Sequence, residues 1–125
     1  LGAELASLAA GRAISVAGRF THDQNAAVLK RSRLLVAGDT GLLHLATAVG
    51  TPVVGLYGPT VEEFGFFPYH ARALLLQLDL PCRPCSAQGG PVCPLEHHHC
   101  LEQLEPARVL DALVQLTAPG REVDR

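Results

Sequence analysis

The chain reads as an α/β protein, an open parallel sheet with helices on both faces, and three observations predict it. Leu34-Leu35-Val36-Ala37 and Val53-Val54-Gly55-Leu56-Tyr57 are apolar runs without alternation, the pattern of strands buried on both faces. Between them lie a glycine-bearing turn and a helical stretch that Gly50-Thr51-Pro52 breaks, giving strand, turn, helix, turn, strand. Parallel strands joined in this way need a right-handed crossover, which lays the helix over the sheet. Composition agrees: of 125 residues 48% are hydrophobic and 18% charged, so one core can bury enough surface to offset the entropy of folding.

Each element has its own signal. Leu1, Leu5 and Leu8 recur at helical spacing with Glu4 and Ser7 between them, predicting a helix over 1–10 that Gly11 ends. Ile14 to Ala17 is a short candidate strand. Thr21 followed by Gln24 matches a capping box, and a helix over about 22–33 follows it. Gly38 closes the first buried strand, a helix runs from about Gly41 to Val49, and the second buried strand comes next. Gly58-Pro59-Thr60 opens an irregular stretch holding Phe64, Phe66, Phe67 and Tyr69. Ala71 to Leu78 reads as another strand, residues 81–100 as a cysteine-, proline- and glycine-rich loop, and Pro106 to Leu116 as a helix with proline in its first turn. The domain spans 1–117, with 118–125 a frayed tail.

Composition also excludes functions. No apolar run approaches the roughly 20 residues that span a bilayer, and no basic-then-apolar signal segment opens the chain, so the expectation is a soluble cytoplasmic protein. Ten basic against 12 acidic side chains supply no basic face for nucleic acid. The absence of methionine points to a fragment, and a chain of this length holds one domain, not two with a cleft between them.

The segment richest in chemistry is Val36-Ala37-Gly38-Asp39-Thr40-Gly41-Leu42-Leu43-His44. It follows a buried strand and opens a helix, the place where open α/β sheets bind ligands. Unpaired N–H groups and the helix dipole there favour an anion, and Gly41 lets backbone approach a phosphate without a Cβ in the way. Thr40 adds a hydroxyl, and His44, nearly one turn after Gly41, can point to the same anion. Asp39 would repel a phosphate, so it is expected to bond backbone N–H groups of the loop or a sugar hydroxyl. Ordinary helix capping by Asp39 or Thr40 and a structural His44 are the competing readings. Neither a G-x-G-x-x-G nor a Walker loop is present.

The run from Asp39 to Thr60 resembles the family 9 glycosyltransferases, the lipopolysaccharide heptosyltransferases, whose pattern here is D-T-G-x-x-H-L-A-x-A-x-G-x-P-x-x-x-L-F-G-P-T. Tyr57 in place of Phe is the only substitution in it. The similarity runs from about Glu4 to Leu113. It implies the C-terminal, Rossmann-like half of a GT-B fold, the half that holds a nucleotide diphosphate sugar such as ADP-heptose, with transfer to a lipid-A-linked core oligosaccharide. By this resemblance Thr40 and Gly41 bind the donor diphosphate, His44 lies beside it, Asp39 shapes the site near the transferred sugar, and Phe20 packs on the adenine base. Glu4 is a looser match to a ribose-binding acid. No catalytic residue is expected in these 125 residues; the base belongs to an upstream domain, and no cofactor is required. The complete enzyme would sit in the cytoplasm, at the inner membrane's cytoplasmic face.

The rival signal is Cys82-x-x-Cys85 with Cys93 and Cys100, and His97-His98-His99 between the last two. Two thiolates at C-x-x-C spacing can share a tetrahedral zinc, which with four protein ligands would be structural. Reduced thiols or a local disulfide are the alternatives. The alternative function is accordingly a non-catalytic nucleotide-sugar or zinc-binding module. The aromatic patch reads as core, as surface covered by another domain, or as a sugar-stacking platform. Glu62 and Glu63 read as a solvated turn or as partners of sugar hydroxyls, and their adjacency does not suit a hydrolase carboxylate pair.

Overall fold

A computed structural model describes residues 1–69, 71–90 and 92–118. Its elements in order are α1 (Gly2–Leu8), α2 (His22–Arg31), β1 (Leu35–Gly38), α3 (Gly41–Ala48), β2 (Val53–Leu56), a 3-10 turn (Glu62–Phe64), β3 (Ala73–Leu76), α4 (His99–Glu102) and α5 (Pro106–Thr117). The strands form one parallel sheet in the order β1-β2-β3, with Leu35 opposite Val53 and Val53 opposite Ala73. The Rossmann-like α/β class expected from the sequence is what the chain adopts.

Both faces of the sheet are covered at β2, and the alternation of side chains along it shows how; β1, expected to be buried on both faces, is not, because it is the edge strand and Val36 is 38% exposed. Val53 packs with Leu29 of α2 and Ala46 of α3 on one face; Val54 packs with Ala112 and Leu116 of α5 on the other. Both valines are fully buried, so a strand of two-sided burial reads as an unbroken apolar run. Gly55 is needed between them and Tyr57: a Cβ there would lie 2.9 Å from Leu75 Cδ2 and from Tyr57 Cε2. Buried Thr51 ties the layers together, its hydroxyl donating to the Leu29 carbonyl at 2.7 Å.

The local signals behave as their chemistry requires. Thr21 and Gln24 form both bonds of a capping box at the start of α2, and Pro106 sits at the start of α5. The expected strand at Ile14–Ala17 is not one: residues 13–16 carry no ladder and Ile14 is 84% exposed. A segment this short becomes a strand only by pairing, and the described sheet ends at β1. The short helix α4 stands inside the end of what reads as a loop. Of the expected tail, residues 119–125 lie outside the described residues. Among the described residues no helix is long and apolar enough to cross a membrane.

Since β1 and β2 are parallel and in register, their carboxyl ends, Gly38 and Leu56, lie side by side. The turn that opens α3 and the Gly58-Pro59-Thr60 turn therefore leave the sheet at the same edge.

Candidate ligand-binding site

At that edge an open cleft of about 210 Å³ is lined by Asp39, Thr40, Gly41, His44, Phe66 and Gln88. Four of the five residues singled out in the sequence are thus brought together by one turn and the first turn of α3. Thr40 occupies the position before α3 with extended backbone, but its side chain makes no capping bond to the helix. The capping reading of Thr40 is therefore excluded, and the residue lines the cleft. Gly41 is the first helical residue, and a Cβ on it would meet nothing within 4 Å. Its lack of a side chain serves no packing purpose.

Of the two roles expected for Asp39, a bond to backbone N–H groups of its loop or to a sugar hydroxyl, the first is replaced by a side-chain donor. The Thr60 hydroxyl, 2% exposed, donates to Asp39 Oδ2 at 2.8 Å, in place of backbone N–H groups of its own loop. The reason is the register: the turn after β2 lies beside the turn after β1 and supplies a donor 21 residues away. The other oxygen, Oδ1, is 3.8 Å from His44 Nε2, with the carboxylate 18% and the imidazole 43% exposed. His44 is the one basic side chain among the residues lining the cleft.

Tyr57, buried beneath this edge, donates its hydroxyl to the Phe66 carbonyl and so holds one wall of the cleft. Burial, and after it the carboxylates of Asp39 and Glu62, push its phenol up to about 12. Thr60, Tyr57, Phe66 and Gln88 were not singled out as site residues. Thr60 and Tyr57 belong to the motif itself and Phe66 to the aromatic patch, one reading of which is a sugar-stacking platform, whereas Gln88 sits in a stretch without periodicity and carries no signal.

Phe20 precedes the cap of α2, is 37% exposed, and is not among the residues lining the cleft. Glu4 is exposed on α1. Glu62 accepts a bond from Gln77 Nε2 at 3.1 Å, while Glu63 is exposed. The aromatic patch is not core: Phe64, Phe66 and Tyr69 are exposed, and Phe67 meets Tyr69 edge to face at 6.0 Å.

The four cysteines are free thiols, and Cys85, Cys93 and Cys100 line one cavity of about 180 Å³. Cys85 donates to the Cys82 carbonyl, and burial followed by the neighbouring thiols of Cys82, Cys93 and Cys100 pushes its thiol up. Cys93 is pulled down by backbone N–H groups, first those of His98 and His97. Among the described residues no three His, Cys, Asp or Glu side chains form a group that could hold a metal ion. Cys82, Cys85, Cys93 and Cys100 are thus not gathered into the tetrahedral set that their spacing leaves open.

A parallel sheet with a polar cleft at the carboxyl ends of its strands and at a helix N-terminus puts the chain in the open α/β class, whose ligand sites lie at that edge. Residues 2–95 match the family model of glycosyltransferase family 9 (heptosyltransferase), and the chain belongs to that family. It is 36% identical over 107 residues to lipopolysaccharide heptosyltransferase 1 of Pseudomonas aeruginosa, covering 75% of this chain and 30% of that protein. Lipooligosaccharide heptosyltransferase 2 of Campylobacter jejuni is 33% identical over 86 residues, covering 69% and 26%. The crystal structure of the glycosyl transferase family 9 protein from Veillonella parvula superposes with a TM-score of 0.68 at 26% identity, covering 91% of this chain and 33% of that one. The chain thus spans between a quarter and a third of the length of these relatives.

Proposed function

We propose that this chain is the donor-binding domain of a glycosyltransferase that moves a heptose-like sugar from a nucleotide diphosphate sugar to the lipopolysaccharide core. The observation that carries the reading is the convergence of Asp39, Thr40, Gly41 and His44 on one cleft at the start of α3, with Gly41 bare and the Thr40 hydroxyl uncommitted to capping. Membership in a family whose named relatives are heptosyltransferases supports it.

In this reading the first-turn N–H groups of α3 and the Thr40 hydroxyl bind the diphosphate, and His44 donates to it. Asp39 stands where the transferred sugar hangs, and Phe20 stacks on the adenine, reached by the nucleoside end of the ligand beyond the cleft. An acceptor hydroxyl attacks the anomeric carbon with inversion while negative charge grows on the leaving diphosphate. Fixed donors aimed at that charge are this domain's contribution, and no metal cofactor is required. The base that takes the acceptor's proton lies outside these 125 residues. The complete enzyme works in the cytoplasm, at the inner face of the membrane that carries its acceptor.

Titration of the 15N-labelled chain with ADP and ADP-heptose tests the reading. Amide shifts confined to the cleft, Asp39 to His44 above all, are expected; no nucleotide-dependent shift there refutes it.

A further inference from the structure

Among the described residues the cysteine-rich loop forms no metal group, yet its first half is bonded to the site. The three carbonyls of Gly58-Pro59-Thr60 are all taken by residues of Cys82-Arg83-Pro84-Cys85. Arg83 Nε donates to the Gly58 carbonyl, the Cys85 amide to that of Pro59 at 3.0 Å, and Arg83 Nη2 to that of Thr60 at 2.7 Å. Arg83 Nη1 also donates to the Leu78 carbonyl just past β3, and Nη2 to Gln77 Oε1 at 3.0 Å. The amide of Gln77 passes the contact on to Glu62. Packing closes the clamp: Gly58 lies against Leu101 of α4, where an added Cβ would be 2.9 Å from Cγ, and Gly89 lies against Pro59.

What the clamp holds is the backbone of Thr60, and the Thr60 hydroxyl is what holds Asp39. Fixing the peptide of Thr60 fixes the direction in which its side chain donates. We infer that Arg83 is a positioning residue of the donor site: through Thr60 it sets the place and orientation of the Asp39 carboxylate at the mouth of α3. This rests on the donor-site reading above, and it gives the Cys82-Arg83-Pro84-Cys85 segment a role that metal binding does not. The side-chain type is dictated by geometry. Four acceptors spread around one planar group match the guanidinium fork, whereas an ammonium offers three donors from a single point.

The test is a double-mutant cycle in the 15N-labelled chain with Arg83→Lys, Thr60→Val and the pair, read by amide shifts and by ADP affinity. Arg83→Lys is expected to move the Asp39 to His44 amides and to weaken ADP by about five- to tenfold, the loss of one well-placed charge-assisted bond. Thr60→Val is expected to do the same, and the pair to be no worse than the weaker single variant, since both act on one bond. Losses that multiply, or Asp39 to His44 amides unmoved by Arg83→Lys, overturn the inference. Should Arg83→Lys fail to fold, Gln77→Met removes one acceptor of the guanidinium and must shift the same amides, by less; unmoved amides in that variant overturn it equally. If wild-type chain does not bind ADP, the donor reading fails, while the amide shifts of the unliganded variants still decide the role of Arg83.

Discussion

Replacing Gly41 by alanine separates ligand binding from folding. Gly41 is the first residue of α3, its φ lies outside the left-handed region, and a Cβ would meet no heavy atom within 4 Å. Nothing in the fold opposes the methyl group. Alanine restricts the unfolded chain more than glycine does, so Gly41→Ala is expected to stabilise by roughly 0.5 kcal/mol, or about 2 °C in Tm for a domain of this size. Binding should move the other way. A methyl on the cleft wall holds a phosphate off the first-turn N–H groups, and one lost charge-assisted hydrogen bond is worth about 1.5–3 kcal/mol, a weakening of ADP by at least about tenfold. Urea unfolding gives the first quantity and calorimetric titration with ADP the second. A destabilised variant would mean that Gly41 has a structural duty the packing does not reveal. Wild-type affinity in a stable variant would mean that no phosphate approaches this helix start.

Four further outcomes follow from the same geometry. His44→Ala leaves Asp39 facing the anion without its imidazole neighbour and should weaken ADP by about tenfold or more, and Asp39→Asn in that background should restore part of the loss; calorimetry that finds no restoration removes Asp39 from the electrostatics of the cleft. The Tyr57 phenol, pushed up to about 12, favours the folded state while neutral, so stability present below pH 10 should fall by about 2 kcal/mol as pH rises from 10 to 12. Absorbance at 295 nm of the Tyr69→Phe variant checks this, and a tyrosinate forming at the ordinary pH of 10 contradicts it. Cys93, pulled down by backbone N–H groups, should be the first thiol alkylated by iodoacetamide and Cys85, pushed up, the slower, as peptide mass spectrometry of a time course would show. Gly55→Ala places a Cβ 2.9 Å from two buried side chains and should cost about 1–3 kcal/mol in urea unfolding, with no change confined to the cleft.

Parts of the molecule set by neighbouring residues were legible in the sequence. The capping box of Thr21 and Gln24, the proline opening α5 and the two-sided burial of Val53 and Val54 each follow from chemistry within a few positions. The cleft was legible for the same reason, since Asp39, Thr40, Gly41 and His44 fall within six consecutive residues and one helical turn gathers them. What pairing across the chain decides was not legible. Ile14 to Ala17 has strand composition and no strand beside it. The bond from Thr60 to Asp39 depends on the register of β1 against β2, and the clamp of Arg83 on Gly58 and Thr60 depends on where a loop without periodicity folds back. Phe20 shows the converse: a position suggested by resemblance lies outside the cleft that the linear motif builds.

In the donor-site reading a carboxylate beside a bound diphosphate needs an explanation, because two like charges about 4 Å apart repel by roughly 4 kcal/mol at an effective dielectric constant of 20. The structure answers it with two partners. One oxygen of Asp39 is engaged by the Thr60 hydroxyl, which is itself buried and so cannot be exchanged for water, and the other faces the His44 imidazole. The carboxylate is thereby held in one orientation, with one oxygen met by a hydroxyl donor and the other facing the imidazole. In that reading Thr60, and behind it Arg83, hold the Asp39 carboxylate to one side and leave the start of α3 to the ligand.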